Sequence, residues 1–264
     1  WKYHQYICGN VAKFDLPTQA YMTVLNCLAR IGFENAIQIY ESYLKGTWFS
    51  DPFNFSAQST EEERFLALLS LYDADDKMQP ILKAKHLLKA WLTFSILESN
   101  HFLDNFTNQE KNRFGSLLTK LHQIHLINAF NLTTTNEEIN PPYPYSKIEP
   151  KKVALFQRTG VGTDFVLRAA LLNHSCDHNT NWSVDSETRT QNMITKRSIK
   201  KGGEVTLNYG FDYRNQTNWA FRQLGLYIHY RFRCQCSACK DPEKEYRQSE
   251  QFAEMFDREF WKDL

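Results

Sequence analysis

The chain has 264 residues, enough to bury one large core or two modest ones, and its 42% hydrophobic and 14% aromatic content describes a globular protein and excludes a disordered one. With 31 basic against 30 acidic side chains and a formal charge of +1, nothing in the balance marks the whole chain as a binder of nucleic acid or of a membrane surface. No apolar run reaches the roughly 18 residues of a membrane span, and Trp1 to Cys8 is neither a signal nor a transit peptide, so no membrane partner is expected.

In chain order, Trp1-x-x-His4-x-x-x-Cys8 has the His-x3-Cys spacing that closes many small zinc fingers, although two further ligands would have to come from elsewhere. Residues 16 to 125 read as helical. Pro17 stands in the first turn of a segment with Tyr21, Val24, Leu25 and Leu28 on one face, and Glu34 to Tyr43 continues as a second helix. The aromatic, Gly- and Pro-containing stretch from Gly46 to Phe55 breaks the pattern as a loop. Ser59-Thr60-Glu61-Glu62-Glu63 starts another helix, with acidic residues in its first turn.

Asp73, Asp75 and Asp76 look like the opening of a calcium loop but lack its Gly and its closing Glu, so they are expected to form a solvated turn and cap. Lys83 to Leu97 and Asn108 to Ile127 read as long helices, the second with Asn108 as N-cap and Leu117, Leu118, Leu121 and Ile124 as its buried stripe. Asn140-Pro-Pro-Tyr-Pro-Tyr is a stiff connector. Beyond about residue 150 the period shortens. Lys152 to Phe156, Gln191 to Thr195 and Glu204 to Asn208 are strand-like, Asn215 to Leu226 is a short helix, and another helix starts at Glu243. Helices first and a small β unit afterwards make an α+β fold.

Four of the six cysteines lie between residues 171 and 239. Cys234-x-Cys236-x-x-Cys239 lets one tight turn aim three thiolates at a point, and Cys176 can be the fourth, which is the ligand set of a structural Zn2+ site. Disulfide staples are a rival, but six cysteines in a chain this long are sparse for a disulfide scaffold. A Cys176 nucleophile activated by His174 is a second rival, and a His two residues away has no special claim to that role. A thiolate site suits a reducing compartment, cytoplasmic or nuclear.

Three motifs in order carry a family resemblance: Leu-Leu-Asn173-His174-Ser175-Cys176-Asp-x-Asn179, then Arg197-Ser-Ile-Lys-Lys-Gly-Gly203-Glu204-Val-Thr-Leu-Asn-Tyr209-Gly210, then Tyr230-x-Phe232-x-Cys234-x-Cys236-x-x-Cys239. Together they resemble the C-terminal half of a SET-domain lysine methyltransferase with its post-SET zinc site. The helical insertion before Asn173 and the helix after Cys239 are similar to the SET and MYND domain subfamily, nearest its insect and mammalian member-four-like branches.

The resemblance implies a division of the chain. Residues 1–8 would be the tail of a MYND zinc finger, 9–150 a helical insertion, 151–228 the C-terminal SET core, 229–242 the post-SET zinc segment, and 243–264 the start of a helical region. The first SET strands and their Gly-x-Gly cofactor loop would then lie upstream of residue 1, so residues 1–264 alone are expected to show no turnover.

The resemblance also implies roles. Tyr209 matches the tyrosine whose hydroxyl, with main-chain carbonyls, surrounds the methyl in transfer from S-adenosylmethionine to a lysine of a protein substrate. Asn173 and His174 match residues that hold the cofactor, and Tyr230 and Phe232 match aromatics that close over cofactor and lysine. Asn128 would lie near the cofactor, and Phe130, with Tyr209 and Tyr230, would line the lysine channel. Cys176, Cys234, Cys236 and Cys239 would bind Zn2+, with His4 and Cys8 as the last two ligands of a MYND finger able to take a proline-rich partner. Core packing is the plain alternative for Tyr209, Tyr230 and Phe232. His178 where the family has Pro, Ala170 where Ser is common, and the altered Tyr72-Asp73-Ala-Asp75-Asp76-Lys77 segment leave a second function open: an inactive SET/MYND scaffold for protein interaction.

Overall fold

Helix starts in the N-terminal half are written into short polar motifs. Thr60 accepts from the Glu63 N–H while the Glu63 carboxylate accepts from the Thr60 N–H, and Thr107 and Glu110 repeat the exchange at the head of a longer helix. The computed structural model describes residues 18–54, 56, 58–133, 160–185, 191–214 and 218–240. These fall into two units: one running to Leu132 and including Val161–Leu171, the other from Leu172 onward.

The first unit holds α1 (Thr18–Ile31), α2 (Phe33–Lys45), α3 (Glu61–Leu69), a 3-10 turn (Asp75–Lys77), α4 (Pro80–Ser99) and α5 (Asn108–Asn128). Strands β1 (Ala129–Thr133) and β2 (Gly160–Phe165) pair with each other, and α6 (Leu167–Ala170) follows. The expected stripes close its core, with Val24, Leu25 and Leu28 of α1 and Leu117, Leu118, Leu121 and Ile124 of α5 all buried.

Two helix starts and the setting of one turn differ from expectation. α5 is capped by Thr107, one residue before Asn108, because only Thr107 exchanges bonds with Glu110. α4 begins at Pro80, whose ring pre-sets the helical φ of a first-turn residue. The Asp73–Lys77 turn is not simply solvated. Asp73 pairs with Lys120 at 2.6 Å and Asp75 accepts from Gln123 at 2.9 Å, so α5 anchors the turn. The Asn140–Tyr145 connector, the strand expected at Lys152–Phe156 and the helix expected after Glu243 lie outside the described residues.

The second unit contains β3 (Asn173–His174), β4 (Thr180–Val184), β5 (Gln191–Thr195), β6 (Thr206–Leu207) and α7 (Trp219–Tyr230). β4 and β5 form an antiparallel hairpin, and β3 runs parallel to β6 with Asn173 opposite Thr206 and His174 opposite Leu207. The Asn179 carboxamide braces this pairing, donating to the Glu204 carbonyl and accepting from the Thr206 N–H. Among the described residues no helix is long and apolar enough to cross a membrane.

The helical core encloses histidines. His122 is buried, its Nε2 3.1 Å from Thr93 Oγ1 and its ring edge-on to Tyr21. The Thr93 hydroxyl already donates to the Lys89 carbonyl, so it accepts from His122 and the ring is the Nε2–H tautomer. Burial, then the positive charge of Lys89, pushes His122 down to about 3 and His86 and His125 to about 4. An unfolded histidine titrates near 6.5, so below that pH the unfolded chain binds more protons than the folded one. The stability that neutral histidines permit is therefore complete above about 6.5 and lost as pH falls toward about 4. Denaturant midpoints of the helical signal should drop between pH 7 and pH 5, and His122→Leu should flatten that dependence; an unchanged midpoint over this range would contradict the assignment.

Candidate functional site

In α7 the Asn218 side chain accepts from the Phe221 N–H, closing the first turn, and the helix then packs on the segment it follows. Gly225 lets the Phe211 ring lie directly against the helix: a Cβ at that position would stand 2.1 Å from Cε1 of Phe211, so any other residue would displace the ring. Two residues earlier Gln223 turns inward and clamps Cys234, donating Nε2–H to its carbonyl at 2.9 Å and accepting its N–H at 3.0 Å. The fully buried guanidinium of Arg222 donates to the Ala238 carbonyl. The helix ends on Arg231 in the left-handed region (φ 62), which turns the chain into Phe232 and the cysteine loop.

That loop brings Cys234, Cys236 and Cys239 to Cys176, and all four sulfurs lie within 4.8 Å of one another. Cys176 Sγ is 3.9 Å from Cys234 Sγ and 3.5 Å from Cys239 Sγ. Sulfurs about 2.3 Å from a tetrahedral zinc would stand about 3.8 Å apart, so the cluster has the spacing and the donor chemistry to hold a metal ion. Cys176, Cys234 and Cys239 are buried and Cys236 is half-buried. Sulfurs this close redistribute their protons. Hydrogen bonding with Cys234 pushes Cys176 up, the same bond pulls Cys234 down, and Cys176 also draws Cys236 down to about 5. A cation would take the place of those shared protons.

Beside the cluster stands Tyr209, at the end of β6. Asn208 accepts from the N–H groups of Gly210 and Phe211, and Gly210 takes φ 108, so the chain turns sharply after the tyrosine. The Tyr209 hydroxyl donates to the Leu172 carbonyl at 2.5 Å, and its own carbonyl accepts from Tyr230 Oη at 3.0 Å. Its ring lies 4.8 Å from that of Tyr230, 5.2 Å from His174 and 6.3 Å from Phe232. Burial, then the neighbouring Tyr230, pushes the Tyr209 phenol up to about 12, so at neutral pH it is a hydrogen-bond donor and not a base.

The expected site residues thus separate by what their side chains touch. Tyr209, Tyr230, Phe232 and His174 form one aromatic group within the second unit. Asn173 is exposed, with its amide nitrogen donating to Glu204 Oε1 at 2.8 Å. The His174 ring is engaged at both nitrogens, accepting from the Tyr209 N–H at 3.0 Å through Nδ1 and lying 3.3 Å from Cys176 Sγ at Nε2. Asn128, at the end of α5, donates to the carbonyls of Tyr72 and Ile124, and half-buried Phe130 lies on β1, both within the first unit. His4 and Cys8 lie outside the described residues. Gln223 and Arg222 belong to none of the quoted motifs, and Glu204 lies in one without a role assigned to it; the partners of all three are distant in sequence and become visible only in the fold.

The SET domain family model matches residues 56–210. Three relatives share part of this stretch. A SET and MYND domain-containing protein of Dictyostelium discoideum is 31% identical over 104 residues, covering 39% of this chain and 8% of the relative. The histone-lysine N-methyltransferase SET5 of Yarrowia lipolytica is 26% identical over 107 residues, covering 40% of this chain and 24% of the relative. That of Meyerozyma guilliermondii is 36% identical over 78 residues, covering 28% and 15%. The chain therefore spans a quarter or less of the length of these curated relatives.

The Gln223 clamp can be tested apart from any activity. Gln223→Leu keeps most of the volume but leaves the Cys234 N–H and carbonyl buried without partners, at about 1–3 kcal/mol for each group. Thermal unfolding followed by tyrosine fluorescence should show a lower midpoint, and an unaltered midpoint would show that the clamp contributes nothing.

Proposed function

The chain belongs to the SET domain family, and we propose that it works as an S-adenosylmethionine-dependent protein-lysine N-methyltransferase whose cysteine cluster holds a structural zinc ion. The observation that carries this is the Tyr209 hydroxyl, held by the Leu172 carbonyl among Tyr230, Phe232 and His174 and next to the four sulfurs. Relatives named as histone-lysine N-methyltransferases support the reaction class, and a protein presenting a lysine is the corresponding substrate.

Bound S-adenosylmethionine would supply a methyl group on a sulfonium, which the lysine amine takes by in-line displacement: the C–N bond forms as the C–S bond breaks and the electron pair stays on sulfur. The protein residues have to set the conditions. Tyr209 keeps its proton and donates it to Leu172, which fixes the phenolic oxygen as an oriented dipole. Its remaining lone-pair capacity would be available to positive charge that develops on a transferring methyl group. Tyr230 and Phe232 offer aromatic walls that disfavour an ammonium, so the amine arrives neutral. Asn173, exposed and oriented by Glu204, offers a carboxamide oxygen with no other partner among the described residues, a suitable acceptor for the cofactor's polar end. Four thiolates around zinc leave no open coordination position, so the metal's part is to fasten the loop that carries Phe232 and follows Tyr230.

The finer assignments follow from the same family reading. On the resemblance alone, Asn128 is proposed as a cofactor residue and Phe130 as a lysine-channel residue. His4 and Cys8 are proposed to end a MYND finger, in keeping with the SET and MYND name of the Dictyostelium relative, and a proline-rich partner is proposed for that finger. A thiolate metal site would suit a reducing compartment, and the cytoplasm and nucleus are proposed on that ground.

Methyl transfer from radiolabelled S-adenosylmethionine by the full-length natural protein, across a panel of proteins and peptides, tests the proposal. Tyr209→Phe keeps the ring and should lower turnover by about 10²-fold with the fold intact. Absence of transfer together with absence of calorimetric cofactor binding would favour the scaffold reading instead.

A further inference from the structure

We infer that His174 is a positioning residue that couples the metal cluster to Tyr209: its Nε2–H holds the Cys176 sulfur while its Nδ1 holds the main-chain N–H of Tyr209. This rests on the metal reading above and adds to it a direct link between metal occupancy and the reactive tyrosine.

The direction of both bonds follows from the ring's chemistry. A main-chain N–H can only donate, so Nδ1, 3.0 Å from the Tyr209 nitrogen, is unprotonated and accepts. The imidazole then carries its proton on Nε2, which lies 3.3 Å from Cys176 Sγ and donates to it. A thiolate is a better acceptor for that proton than a thiol, so a metal that holds Cys176 as thiolate strengthens the bond. His174 is buried, and its ring stands 5.2 Å from the ring of Tyr209 and 6.0 Å from that of Phe232, which leaves it little room to turn. The next main-chain link runs the same way, since the Tyr213 N–H donates to the Cys176 carbonyl at 3.2 Å. A shift of Cys176 on loss of metal is therefore felt at the backbone of Tyr209, whose hydroxyl is held at the far end of the ring by Leu172.

Two substitutions separate the ends of this relay. His174→Asn places an acceptor oxygen near the Nδ1 position and removes the donor to sulfur; His174→Gln places an amide N–H near the Nε2 position and removes the acceptor for Tyr209. The protein is loaded with cobalt(II) alone, and the thiolate-to-cobalt charge-transfer band that Cys236→Ser abolishes is followed together with hydrogen exchange of the Tyr209 amide. In His174→Asn the band should move to lower energy and cobalt affinity should fall about tenfold, with the Tyr209 amide still protected. In His174→Gln the band should stay in place while exchange at Tyr209 speeds up about tenfold. In the unsubstituted protein, chelation of the cobalt should speed exchange at Tyr209 as well.

A band that is the same in both variants, or changes that are the same in both, would overturn the relay and leave the metal site standing. A Tyr209 amide unaffected by chelation would also overturn it. The absence of any thiolate-to-cobalt band would remove the metal reading, and the relay with it.

Discussion

Four sulfur atoms within 4.8 Å of one another cannot all carry charge unless something positive sits among them, and the second unit is arranged around that requirement. Cys176 is 58 residues from Cys234, so bringing them together closes a long loop at an entropic cost. Local order offsets part of that cost. Gln223 fixes the backbone of Cys234, Arg222 holds the carbonyl of Ala238, and Gly225 lets the Phe211 ring lie against α7. The small apolar cluster of this unit contains the cysteines themselves and the tyrosines and phenylalanines around them. With so little aliphatic core, a bound metal would contribute much of the stability.

Tyr209 depends on the same arrangement from the other side. Its position results from a parallel pair of two-residue strands, a sharp turn made by Asn208 and Gly210, and hydrogen bonds at its hydroxyl, carbonyl and N–H. The N–H bond goes to His174, which also touches the cysteine cluster at Cys176. A phenol so surrounded stays protonated at neutral pH, which suits a fixed dipole beside a methyl in transfer and does not suit a general base.

Much of the first unit could be read from the residues alone. The capping boxes and the apolar stripes at helical spacing are local signals, and local signals decide where isolated amphipathic helices begin and what they bury. The cysteine cluster was equally readable, because Cys-x-Cys-x-x-Cys is a turn with its own geometry. β5 was found over Gln191–Thr195, but β4 was not: Thr180–Val184 has no alternating apolar pattern, and its pairing partner sets it. β3 was not read as a strand and β6 is shorter than the stretch from Glu204 to Asn208, since a parallel pair of two residues leaves no periodicity to detect. The roles of Gln223, Arg222 and Glu204 needed partners 11, 16 and 31 positions away. The engagement of the His174 ring with both Cys176 and Tyr209 was hidden for the same reason. The resemblance implies a place for His174 at a cofactor, and the fold adds that both of its ring nitrogens are engaged within the protein.

The metal content of the purified protein tests the central claim most directly. Elemental analysis after gel filtration should find zinc retained by the unsubstituted chain and one zinc fewer per chain in Cys236→Ser, with the four thiols slow to react with a thiol reagent until a chelator is added. Equal zinc in the two proteins, with Cys176, Cys234, Cys236 and Cys239 freely reactive in the native state, would contradict the account.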